Sequence, residues 1–169
     1  IVFGIIYVST QNLFLAVAAA MVTGTLLGLF NGIIVAKTKI PPLVTTLATM
    51  YLFRGISMIV AGTATFSGFP KSFQAFSTYE LFDVLPIQFI YFLVFFLIMD
   101  YFFTQGSLGR NLKGMGFNEE SVLFSGVKVD RIKMGIYTLL GFLCAFAAMV
   151  YLGRLSAAKT SMGDWLNFQ

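Results

Sequence analysis

The sequence contains no histidine, a single cysteine, four prolines and one tryptophan, and only 11% of its 169 residues are charged. Without histidine there is neither imidazole acid–base catalysis nor a histidine-ligated metal. One thiol, Cys144, cannot form an internal disulfide, a four-cysteine zinc site or an iron–sulfur cage. A soluble domain carries about 25% charged residues, so this chain lacks the polar surface such a fold needs. What it has instead is apolar length: 58% of its residues are hydrophobic. Scarcity of charge and of reactive side chains predicts a membrane protein that moves or holds something rather than one that makes or breaks bonds.

The net charge is +4. In a soluble protein this excess suggests nucleic acid; in a membrane chain it records topology, and no nucleic-acid partner is expected. The apolar start, Ile1 to Val8, has no basic stretch before it and reads as the end of a longer helix rather than a signal peptide. The chain is therefore expected to be a piece of a larger protein.

Crossing a hydrocarbon core takes roughly 17–25 helical residues. Four stretches qualify: Leu13–Ala36, Leu43–Ala61, Val84–Phe103 and Met134–Gly153. None alternates with the period of a membrane barrel strand, and unpaired strand edges are not viable in lipid. The predicted fold is all-α, a polytopic transmembrane bundle of four complete spans and a partial N-terminal one. Residues 104–133 carry Arg110, Lys113, Lys128, Arg131 and Lys133, which places this segment in the cytoplasm. Alternation then puts Lys37 and Lys39 inside as well. Ser9–Asn12, the Gly62–Asp83 segment and the tail after Gly153 fall outside. Pro41-Pro42 marks either a simple turn or a re-entrant element.

Within the first span Ala16, Ala20, Gly24, Gly28, Gly32 and Ala36 recur every four residues, the small-residue stripe of close helix contact in lipid. It fits a seam within one subunit, a subunit interface or a moving contact. Gly141, Cys144, Ala145 and Ala148 suggest a similar face in the last span, with Cys144 a small buried residue. Arg54 falls near mid-membrane, where it faces a polar pathway, pairs with a neighbour or with carbonyls, or snorkels outward. Asp100, close to the cytoplasmic end of its span, reads as an anchor. Phe66, Phe69, Phe73, Phe76, Tyr79 and Phe82 fit an interfacial aromatic belt, or a landing surface for a partner.

The cytoplasmic segment is the most informative. Asn118 suits a helix N-cap, Glu119 and Glu120 suit the first turn, and Gly126 suits a left-handed stop. Val122, Leu123, Phe124 and Val127 leave this short helix largely apolar, so it must dock on a partner or lie on the inner leaflet. Gly106, Gly109, Gly114 and Gly116 read as permissive joints before it.

Three blocks together carry a resemblance: Asn31-Gly32 through Val35, Ile40-Pro41-Pro42 and Thr46–Met50 to Arg54-Gly55; Ser67-Gly68-Phe69-Pro70 with Phe73; and Gly109-Arg110 to Gly116, Asn118-Glu119-Glu120, Ser125-Gly126-Val127, Arg131-Ile132-Lys133, Tyr137 and Arg154–Ala157. The sequence resembles the permease subunits of ATP-binding-cassette importers of the ribose-type monosaccharide class, which include importers of autoinducer-2. The chain departs from that pattern at Ser121-Val122-Leu123 and at Ala61-Gly62-Thr63. The resemblance implies one partial permease domain over residues 1–169 of a bacterial inner-membrane protein. It also implies a second permease subunit, an extracytoplasmic sugar-binding protein, surrounding membrane lipid and a cytoplasmic ATPase. Residues 118–126 would be the coupling helix, and Asn31 and Arg54 candidate pathway residues. ATP and magnesium would sit on the ATPase, since no phosphate-binding loop motif occurs in this chain. Permeases for branched-chain amino acids or nucleosides are alternatives. A secondary transporter fits less well, because no carboxylate falls at mid-span. A membrane enzyme lacks a catalytic constellation, and a passive scaffold leaves the capped helix unexplained.

Overall fold

A computed structural model describes residues 1–38, 40–62, 64–81 and 85–159. In chain order the elements are α1 (Val2–Thr10), α2 (Leu13–Lys37), α3 (Pro42–Ala61), β1 (Thr65–Ser67), α4 (Lys71–Thr78), β2 (Glu80–Leu81) and β3 (Leu85–Pro86). They continue with α5 (Ile87–Gln105), α6 (Ser107–Phe117), α7 (Glu119–Phe124), α8 (Val129–Leu155) and β4 (Ala157–Lys159). Four of these, α2, α3, α5 and α8, are long and apolar enough to cross a membrane. They are the four predicted spans.

Local chemistry explains their ends. Asn12 accepts hydrogen bonds at Oδ1 from the backbone N–H groups of Phe14 and Leu15 and so caps α2. Pro42 occupies the first helical position of α3, where its missing N–H leaves no gap. The 38–41 connection is a short turn as far as it is described, and Lys39 lies outside the described residues. The third span begins at Ile87 behind Pro86; Val84, taken above as its start, is likewise outside them. The last span starts at Val129, earlier than Met134, because Asp130 in its first turn lets the helix extend beyond the apolar run.

The spine of the fold is the antiparallel pair α2 and α8. Gly24 meets Ala145 and the Gly141 carbonyl, Gly28 meets the Tyr137 carbonyl and Gly141, and Gly32 meets Met134 and Tyr137. A Cβ at Gly28 would collide with the Tyr137 carbonyl oxygen, so the small residues set how closely the two backbones approach. Cys144 is exposed, not buried as expected. It lies about 100° round the helix from Ala145, off the seam, and Ala148 is exposed with it.

At the end of the spine that holds α1 and α4, Phe3, Ala16, Phe69, Phe73, Met149 and Ala158 form a buried cluster. Phe3 stacks on Phe73 with ring centroids 4.6 Å apart, and Phe69 meets Phe3 edge-on at 5.2 Å. This corrects the expectation of an aromatic belt: Phe69 and Phe73 are 3–4% exposed and belong to a core. Phe66 packs against that cluster, and Phe76 stacks on Tyr91 at 5.0 Å. Of the remaining aromatic residues in this segment, Tyr79 is exposed, while Phe82 lies outside the described residues, as does Asp83. Two antiparallel ribbons, β1 with β4 and β2 with β3, flank this end. They are additions to the all-α expectation, too short for any periodicity to announce.

Candidate functional site

At the opposite end of the α2–α8 pair, Lys37 shares a depression with Leu123, Gly126 and Lys128. The loop after α2 and the segment before α8 therefore lie on one side, as the alternation of spans requires. Described basic residues concentrate there.

The site is built from α5 downward. The chain leaves α5 through Gly106 in extended conformation (ψ 154°) and re-enters a helix at Ser107. Gly109 then packs on the Phe103 carbonyl so closely that a Cβ would overlap it. Gly109, Gly114 and Gly116 are thus residues of a regular helix, α6, rather than joints. This corrects the reading of a flexible linker.

Asn118 breaks α6 with φ −157° and caps α7 by accepting the Ser121 N–H at Oδ1 over 3.2 Å. Glu119 and Glu120 occupy the first turn, where a carboxylate meets the positive end of the helix dipole. At the other end the Ser125 hydroxyl donates to the Ser121 carbonyl (2.9 Å), and Gly126 closes the turn with φ +81°, a left-handed conformation that glycine adopts without strain. Two further contacts fix α7 to its neighbours. Val122 Cγ2 rests against Gly114 of α6, and Lys133 Nζ of α8 donates to Glu119 Oε1 at 2.6 Å.

With α7 held in this way, its other side is open: Phe124 is 88% exposed and Leu123 57%, with Glu120 and Ser121 also exposed. Phe117, the last residue of α6 and just before the α7 cap, is 92% exposed. Sequence reasoning gave Phe117 no role and counted Lys133 only among the basic residues and in the resemblance block, not as a partner of Glu119. The first looked like an ordinary apolar position in a glycine-rich stretch. The second pairs across fourteen residues and a loop whose direction no local pattern reveals. Arranged like this, the surface can seat two phenylalanines and a leucine in an apolar groove of another protein, with carboxylates at the rim.

The two candidate pathway residues sit on different helices. Asn31, on α2, buries its Oδ1 without a hydrogen-bond partner among the described residues. Arg54 is half-buried on α3. Neither lines the grooves beside α8. Asp100 is exposed near the end of α5. Among the described residues no three carboxylate or thiol side chains gather as a metal site would require.

Comparison with known proteins gives this arrangement a family. The family described as "Branched-chain amino acid transport system / permease component" matches residues 1–169. The chain is 33% identical over 154 residues to the ribose import permease protein RbsC of Haemophilus influenzae, an alignment covering 89% of this chain and 48% of that protein. It is 30% identical over 169 residues to the autoinducer 2 import system permease protein LsrD of Escherichia coli strain K12, covering 96% of this chain and 51% of that protein. The chain thus spans about half the length of the curated relatives it matches. No solved structure gives a significant match. With four membrane-length helices and a family match along its whole length, the chain is a multi-pass inner-membrane protein and belongs to the branched-chain amino acid transport system / permease component family.

Proposed function

We propose that this chain is part of a transmembrane subunit of an ATP-binding-cassette importer, carrying a monosaccharide or a similar small polar solute inward without changing it chemically. The observation that carries this reading is α7: a capped helix, fixed to α6 and α8, whose Phe124 is 88% and Leu123 57% exposed. In this reading α7 seats in a partner ATPase on the cytoplasmic side, and ATP and magnesium are bound there. A second permease subunit completes the pathway, and an extracytoplasmic binding protein delivers the solute at the end that holds α4.

The geometry suggests how force would pass. A push on Phe124 reaches α8 through Glu119 and Lys133 and reaches α6 through Val122 and Gly114. Because α6 is a continuous helix anchored on Phe103, it transmits displacement to α5 instead of absorbing it. Tilting α5 and α8 together would switch access from one side to the other.

Relatives named for ribose and autoinducer-2 import favour a sugar-like solute, whereas the family description favours a branched-chain amino acid as the second reading. Uptake by the full-length permease, reconstituted with its ATPase and binding protein, of labelled ribose, autoinducer-2 and leucine separates them. Sugar uptake that requires ATP supports the first reading. Leucine uptake alone supports the second, and uptake without ATP overturns both.

A further inference from the structure

Arg131 lines three depressions around the basic end of α8, and they differ in chemistry. One, of about 370 Å³, runs between α5, α6 and α8 against Phe102, Phe103, Leu112 and Ile136, with Arg131 its only charged residue among those described. A second, of about 550 Å³, opens on the other flank of α8 against Leu29, Thr138 and Phe142 of the α2–α8 pair, again with Arg131 as its only charge among the described residues. The third, of about 490 Å³, has an apolar floor that includes Leu123, Val127 and Met134 and a basic rim on which Lys37, Lys128 and Arg131 outnumber Asp130. Gly135 and Leu139 line both apolar grooves, and a Cβ at Gly135 would meet nothing within 4 Å, so the ridge dividing them is low. Among the described residues the carboxylate that forms an ion pair here, Glu119, is taken by Lys133, and Lys37, Lys128 and Arg131 have no acidic partner.

We propose that these three depressions form one binding site for an anionic diacyl phospholipid of the leaflet bordering the basic end. The headgroup phosphate sits among Arg131, Lys128 and Lys37, and one acyl chain lies in each groove. Two apolar channels that converge on one unpaired guanidinium match an amphiphile with two tails and a negative head. Basic pockets between membrane helices on the cytoplasmic side recognise such headgroups, each Lys or Arg adding about 1 kcal/mol. A further transmembrane helix in either groove would cover apolar surface but leave three cations without counter-charge. A zwitterionic lipid would bring a cationic ammonium group into the same positive bowl. The site depends on how α2, α5 and α6 flank α8 in the membrane, and it stands whichever solute is carried.

Native mass spectrometry of the full-length permease, titrated separately with phosphatidic acid, phosphatidylglycerol and phosphatidylcholine, tests it. Phosphatidic acid and phosphatidylglycerol should be retained and phosphatidylcholine lost. Arg131→Ala should weaken retention about fivefold, the equivalent of ~1 kcal/mol, and Arg131→Lys should keep most of it. Gly135→Leu preserves every charge but raises the ridge between the grooves, and should weaken diacyl lipid binding while leaving the thermal midpoint in detergent within a few degrees of wild type. Equal retention of phosphatidylcholine overturns the proposal, as does full retention by a folded Arg131→Ala variant. So does a full-length permease that keeps no lipid, since other helices would then fill the grooves.

Discussion

Lys133, in the second turn of α8, places Nζ 2.6 Å from Oε1 of Glu119 at the start of α7. Lys133 is the more buried partner, 25% exposed against 52% for Glu119, so the pair straddles the edge of the bundle. Such partly exposed pairs are worth about 0.2–1 kcal/mol, too little to hold the fold but enough to fix the direction of a six-residue helix. If α7 passes force to α8 through this pair, Glu119→Lys should lower solute-stimulated ATP hydrolysis by the assembled importer several-fold. The exchange Glu119→Lys with Lys133→Glu should restore part of it. ATPase rates in proteoliposomes at low and high salt check this, and an unaffected Glu119→Lys would remove Lys133 from the coupling path.

Phe124 makes the complementary case. At 88% exposure it contributes little to the fold of this chain, so Phe124→Asp should leave the detergent melting temperature within about 2 °C while abolishing co-purification of the ATPase. Phe117→Asp should act in the same direction more weakly, because it flanks the helix. Melting curves and pull-down of the complex distinguish loss of docking from loss of folding.

Much of this was written in the residues before any coordinates. Long, mainly apolar runs give four spans, and Asn118, Glu119, Glu120 and Gly126 announce α7 to within a residue, because capping is local chemistry. What stayed hidden depends on contacts distant in sequence. Glu119 and Lys133 meet only because the loop after Gly126 folds back, and Phe69 and Phe73 become core only because α1 brings Phe3 onto them. The glycines before α7 misled for a related reason. Composition reads Gly109 as a hinge, yet its role is to let α6 lie against the Phe103 carbonyl.

The same distinction governs the α2–α8 seam. Gly28→Leu drives a branched side chain into the Tyr137 carbonyl and Gly141, and should cost several kcal/mol or prevent folding, at or beyond the ~1–3 kcal/mol usual for overpacking. Gly55→Leu, at a position where a Cβ meets nothing within 4 Å, is the control and should be tolerated. Expression level and fluorescence-detected gel filtration of the two variants measure the contrast; equal behaviour would mean the helices do not approach as closely as this.

Ser77 and Gly153 supply a second close approach, at the other end of α8. Ser77 is 2% exposed, its hydroxyl oxygen has no hydrogen-bond partner among the described residues, and a Cβ on Gly153 would overlap that oxygen. A buried hydroxyl left unsatisfied costs about 1–3 kcal/mol, so Ser77→Ala should raise the thermal midpoint or leave it unchanged, unlike most core substitutions. Gly153→Ala should lower it, because the new methyl group meets both Oγ and Cβ of Ser77. Removing the whole side chain with Ser77→Gly should then rescue Gly153→Ala, a non-additivity that two independent sites would not show. Melting of the four variants in one detergent gives the coupling directly: a double variant less destabilised than the sum of the two single ones locates the strain in this contact, and strict additivity would place it elsewhere.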